Sequence, residues 1–295
     1  MRFGGRRVGS AGIVCEHADV TAILVTRDRW WKCGSVRAVD PEPTDKTVAP
    51  ERSAGPRPAH AFDSTPRAHR WGLGAFILVE LVFLLTSALF AVALTGAHAL
   101  SAGTLALAVA VPTVIAAGLA MLITRWRGNG PRTDLQLHWS WRGLKIGLMF
   151  GFGGLLVSIP ASLVYTSIVG PGANSAVGKI FSGVRASWPW AVAVFLIVVL
   201  VAPLCEEIIY RGLLWGALDR RWGQWVALVV STVVFALAHF EFTRAPLLVV
   251  VAIPIALARL YSGGLLASIV AHQVTNLLPG IALMLGLAGV MPPAA

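Results

Sequence analysis

The stretch WPWAVAVFLIVVLVAPLCEEIIYR, residues 188–211, decides how this chain is read. An almost unbroken apolar run, Trp188 to Leu204, leads into two adjacent glutamates, Glu206 and Glu207, and Arg211 follows one helical turn after Glu207. A charged group at bilayer depth costs roughly 2.5–3.5 kcal/mol on insertion scales, so such residues are rare and usually functional. Downstream, two later apolar segments each carry a polar pair at one-turn spacing: Phe235-x-x-x-His239 and His272-x-x-x-Asn276.

Working outward, 56% of the 295 residues are hydrophobic, only 13% are charged, and the mean hydropathy is +0.73. A soluble domain carries roughly 25% charge, so the composition is that of a polytopic membrane protein, an all-α helix bundle. Residues 1–70 hold 12 of the 24 Lys and Arg and 8 of the 14 Asp and Glu. The net charge of +10 is therefore concentrated in this tail and in short loops, with no basic stripe interleaved with aromatics. That distribution fits topology and anionic lipid and argues against nucleic acid as a partner.

Residues 1–70 read as a disordered, basic, cytosolic tail: Pro41 to Arg70 is rich in proline, charge and small residues. Its longest apolar run, Thr21 to Val25, is too short for a signal peptide. Cys15, Cys33 and Cys205 lack metal-type spacing, and Cys205 beside Glu206 reads as a small hydrophobe.

A membrane domain is expected over 71–295. A span needs about 20 apolar residues, and seven segments qualify, some of them marginally: Trp71–Leu94, Gly103–Trp126, Leu144–Val169, Trp188–Leu204 continuing towards Leu218, Gln224–Ala238, Pro246–Leu260 and Gly264–Val290. Pro279 divides the last of these, so the expectation is seven to eight transmembrane segments. Arg125, Arg127, Arg132, Arg142 and Lys145 lie between the second and third segments against one acid, Asp134, while the first connection, Gly96–Gly103, is uncharged. The positive-inside bias then puts the N-terminus in the cytosol, in the plasma (cytoplasmic) membrane. Tryptophans at 71, 126, 139, 141, 188, 190, 222 and 225 sit near segment ends and are expected to form an interfacial belt.

Helical spacing places Glu207 and Arg211 on one face, while Glu206 points about 100° away, free to face a cavity. Pro203 is positioned to kink or break the helix just before them. A carboxylate held partly out of water is suited to general-base work. Glu206 and His239 together form a set that activates water, with His272 and Asn276 as donors to the carbonyl oxygen under attack. Such donors are worth roughly 3–4 kcal/mol in the transition state. Seven simple spans would put His239 near the far ends of the helices, so a shared site requires short or broken helices. Glu80, midway along the first segment, is costly there and is expected to line the cavity or bond across helices. Phe235 reads as packing.

Glu206-Glu207-Ile-Ile-Tyr-Arg211, Phe235-Ala-Leu-Ala-His239 and His272-Gln-Val-Thr-Asn276 together resemble the E-E-x-x-x-R, F-x-x-x-H and H-x-x-x-N/B set of the CPBP family. These are the CAAX-processing and bacteriocin-processing (Abi) intramembrane endopeptidases. The resemblance covers about residues 188–280. It implies an intramembrane endopeptidase that hydrolyses a peptide bond of a membrane-anchored peptide or protein substrate. It further implies that Glu206 and His239 activate water, that His272 and Asn276 form the oxyanion hole, and that Glu207 and Arg211 support them.

No metal is assigned on this reading and no cofactor is required. Zn²⁺ held by Glu206, His239 and His272 is the alternative, since His₂Glu sets occur in hydrolases, although the chain lacks the H-E-x-x-H pattern. The competing functional class is a catalytically silent binding or immunity-type membrane protein on the same fold. A proton-coupled transporter is disfavoured because no internal repeat is evident.

Overall fold

The computed structural model describes residues 70–95, 100–170 and 175–291. The expected tail lies outside the described residues except for Arg70, as do Cys15, Cys33 and residues 96–99 of the first connection. Seven long helices follow in order: α1 (Leu73–Ala93), α2 (Ala102–Arg127), α3 (Trp141–Val169), α4 (Trp188–Trp222), α5 (Gln224–Ala238), α6 (Ala245–Ser262) and α7 (Leu265–Leu287). Among the described residues there is no strand. Six of the helices are long and apolar enough to cross a bilayer, and α5, with 15 residues, is the shorter one. The chain is a polytopic helical membrane protein.

Local chemistry sets the helix boundaries. Ser101 and Ser140 accept backbone N–H bonds from Thr104 (3.1 Å) and Gly143 (2.9 Å), capping α2 and α3. Gly223 (φ +84°) and Gly263 (φ +70°) make the tight reversals between α4 and α5 and between α6 and α7, in a region of backbone space that favours glycine.

The expected break at Pro279 is absent, so the last segment is not divided in two among the described residues: α7 runs on through Pro279. Prolines are tolerated in membrane helices when neighbours compensate for the missing donor, and adjacent Gly280 lets α4 come so close that a Cβ there would overlap Val199. Pro203 likewise does not interrupt α4. Instead α4 winds wide as π-helix on both sides of it, over Ile197–Val201 and Ile208–Leu214. Wide turns of this kind are frequent at functional sites, and the two glutamates sit between them. The tryptophans at 126, 139, 141, 188, 190, 222 and 225 are all exposed, whereas Trp71 is buried. Trp71 Nε1 donates to Asp134 Oδ2 (2.7 Å) and its ring lies 3.9 Å under the Arg220 guanidinium, which pins the start of α1 to the end of α4.

Helices α1 and α2 pair with each other and pack on α4, while α3 packs against α6 and α7; α5 lies between α6 and the second half of α4. The closest packing follows a glycine stripe on α3. A Cβ at Gly147 would lie 2.7 Å from Ala267 O and Val270 Cβ, and one at Gly151 would lie 2.7 Å from Val274 Cβ. Lipid offers no hydrophobic drive for helix association, so small residues that allow close van der Waals approach supply the contact. Gly151→Leu is therefore expected to lower stability by about 1–3 kcal/mol through overpacking, read as a lower thermal midpoint in detergent. Gly153→Leu, two residues on and facing open space, should leave the midpoint unchanged.

The depth problem is resolved by helix length. At about 1.5 Å per residue, the 35-residue α4 is roughly 52 Å long and exceeds a hydrocarbon core of about 30 Å. Glu206 is therefore well inside α4, 17 residues before Gly223, and His239 is 16 residues after it. The antiparallel α4–α5 pair thus brings both to one level.

Candidate active site

Glu207 is the buried pivot. Its side chain is fully enclosed, and Oε1 accepts from Arg211 Nη1 (3.1 Å) and from His272 Nδ1 (2.9 Å). An ionised carboxylate is only an acceptor, so His272 carries its proton on Nδ1. That turns His272 Nε2 towards Glu206, whose Oε2 is 3.7 Å away. Ser268, one turn before His272 on the same face of α7, lies beside the Glu207 carboxylate and donates its own proton to Leu265 O (3.0 Å). Glu206, with its side chain 24% exposed, is the open member of the pair.

Phe235 is buried at the centre of a ring cluster. Its centroid lies 4.7 Å from that of His239, 5.6 Å from that of His272 and 5.3 Å from that of Tyr210, with the Arg211 guanidinium 4.2 Å over its face. Cation–π contact and enclosure hold Arg211 in place without water. His239 caps the end of α5, and its Nδ1 lies 2.8 Å from Phe235 O. A carbonyl only accepts, so Nδ1 donates and Nε2 is left free. Phe240, the next residue, has φ +54°, a strained setting for a non-glycine residue immediately beside the histidine.

Asn276 does not bond to another motif side chain. Its Nδ2 donates to Val198 O (3.1 Å), and Gln273 Nε2 reaches Leu200 O (3.4 Å), both in the first wide turn of α4. Arg259 Nε donates to Arg211 O (3.1 Å) in the second wide turn. π-Type winding shifts the backbone hydrogen bonds from i,i+4 to i,i+5, and α6 and α7 supply side-chain donors to these carbonyls. The Asn276 amide retains a second N–H. Tyr210, Ser268, Gln273 and Arg259 were not singled out by sequence. Arg259 alone had a signal, as a cation in an apolar segment.

With both Nδ1 atoms engaged, the two Nε2 atoms are the free ring nitrogens, an arrangement that suits activation of water and also resembles the outer support of metal-ligating histidines. Among the described residues, however, no three His, Cys, Asp or Glu side chains converge closely enough to hold an ion.

Residues 188–278 match the model of the type II CAAX prenyl endopeptidase Rce1-like family, the CAAX-processing group that the three motifs resemble. The chain is also 31% identical over 93 residues to an uncharacterized 24.3 kDa protein of Escherichia coli, covering 30% of this chain and 42% of that protein. The chain thus spans less than half the length of that relative. No solved structure matches.

Proposed function

We propose that this chain, with its Rce1-like segment at 188–278, is an intramembrane endopeptidase acting on a membrane-anchored peptide or protein. The observation that carries the reading is the chain of contacts Arg211–Glu207–His272–Glu206, which joins two separate motifs on α4 and α7. It orients an imidazole towards a second, more open carboxylate, the arrangement that general acid–base chemistry needs.

Glu206 takes a proton from water, and His239 holds that water through Nε2 while it attacks the scissile carbonyl. The oxyanion that forms is met by the second N–H of Asn276, and by His272 Nε2 when the ring carries both protons. Glu206 then returns its proton to the leaving amine, so proton and bond balance close without a covalent enzyme intermediate. Glu207 and Arg211 are positioning residues: they hold His272 but do not meet the substrate. Placing these groups between helices admits an extended, lipid-tethered chain and excludes folded soluble proteins.

The charge of the connection between α2 and α3 favours a cytosolic N-terminus. Reporter fusions at the two ends of α2 should place Arg127 on the cytosolic side.

The test of the reaction is cleavage of quenched, membrane-anchored peptides by the purified full chain. Cleavage is expected to survive a strong chelator. Loss with chelator and recovery with Zn²⁺ would move the chemistry to a metal, and absence of cleavage across a broad membrane-anchored library would favour a non-catalytic membrane protein.

A further inference from the structure

Glu80 lies on α1, more than a hundred residues before the matched segment, and none of the three motifs includes it. Three observations bring it to the same place. First, depth: α1 is pinned at Trp71 against the Gly216–Arg220 end of α4, where a Cβ at Gly216 would lie 3.1 Å from the Trp71 ring. Glu80 is nine residues beyond Trp71, and Glu206 is ten residues before Gly216 in a helix running the other way. Counted in residues from that contact the two glutamates fall at similar depth, with the wide turn over Ile208–Leu214 shortening the α4 side somewhat.

Second, facing: Phe76, one turn before Glu80 on α1, makes an edge contact with the buried Tyr210 ring at 6.0 Å. Residues four apart share a helix face, so Glu80 faces α4 just beyond Phe76. Tyr210 in turn contacts Phe235, which contacts His239. Third, electrostatics: the Glu80 carboxylate stands against the Tyr210 hydroxyl and within electrostatic reach of Glu206 and His239. The charged and titratable groups that face it are thus Tyr210 and Glu206 from α4 and His239 from α5, with Arg211 beyond Tyr210. Helix α2, which also packs on α1, carries none before Arg125.

We propose that Glu80 is a third carboxylate of the site, a positioning residue held by the Tyr210 hydroxyl that acts on Glu206 and His239. Two carboxylates in one partly dry site titrate as a coupled pair, because ionising one disfavours ionising the other. Glu80 therefore acts electrostatically on the groups that handle the proton from water, and Tyr210 fixes how closely it approaches.

The inference rests on the endopeptidase reading for its catalytic meaning, so the test has two arms. In the first, the full chain is compared with Glu80→Gln, which keeps the size and removes the charge, and with Tyr210→Phe, which leaves both carboxylates in place. The cleavage–pH profile is expected to change shape in Glu80→Gln and in Tyr210→Phe, with KM little changed. A merely structural residue would lower activity at every pH alike.

The second arm reads the carboxyl groups by infrared difference spectroscopy and needs no activity. The band lost in Glu80→Gln should be displaced in Glu206→Gln and in Tyr210→Phe. A cleavage–pH profile of unchanged shape, or a Glu80 band indifferent to both partners, overturns the proposal. Coupled bands in a chain that cleaves nothing would uphold the Glu80–Glu206 pair while the protease reading falls.

Discussion

Glu206→Gln is expected to lower kcat for peptide cleavage by about 10²–10⁴-fold, the usual span for loss of a general base. The variant keeps the shape of the side chain but cannot take a proton from water. Because Glu206 is partly exposed and no salt bridge to Arg or Lys depends on it among the described residues, the fold should be retained. KM should change little, since the lost interaction belongs to the transition state. The measurement is a full kcat and KM determination with a membrane-anchored peptide, alongside a thermal melt in detergent. Near-normal turnover in a folded Glu206→Gln protein would remove Glu206 from water activation and direct attention to His239.

The second large effect falls on stability. Arg211 and Glu207 are both fully buried, and Arg211→Met leaves the Glu207 carboxylate without its cation. Breaking a buried pair on one side typically costs about 3–5 kcal/mol, because the remaining charge stays out of water. Here His272 Nδ1 is still available to Glu207, so part of the charge remains partnered. The double variant Glu207→Leu with Arg211→Met should recover much of the lost stability, since replacing both members is often neutral. It should not recover cleavage, because His272 then has no partner to aim Nε2. Thermal midpoints of the single and double variants, set beside their cleavage rates, separate the two roles. A double variant that cleaves like the wild type would show that His272 needs no such support.

Much of this was legible in the sequence because helical geometry is local. The apolar runs gave seven segments, and the four-residue spacing of Glu207 and Arg211 put the pair on one face. The glycine stripe Gly143, Gly147, Gly151, Gly154 was equally open to reading as a helix-packing motif and was passed over, although it sets the contact between α3 and α7. Trp71 was misread because position near a segment end suggests the interface, whereas its partners Asp134 and Arg220 lie 63 and 149 residues away. Pro279 was given too much weight as a breaker, since the sequence does not show that Gly280 lets α4 close over it.

The sequence by itself determined the membrane class, the helices and the face each polar group occupies, because a period of 3.6 residues fixes angles about each helix's own axis. Only the tertiary structure decided that Glu207 rather than Glu206 receives His272 Nδ1, that Asn276 caps a carbonyl of α4, and that Glu80 comes within electrostatic reach of Glu206. Those outcomes depend on how far neighbouring helices slide and turn against one another. That is set by close contacts such as Gly280 with Val199 and Gly216 with Trp71, between residues far apart in the chain, which no periodicity within a single segment encodes.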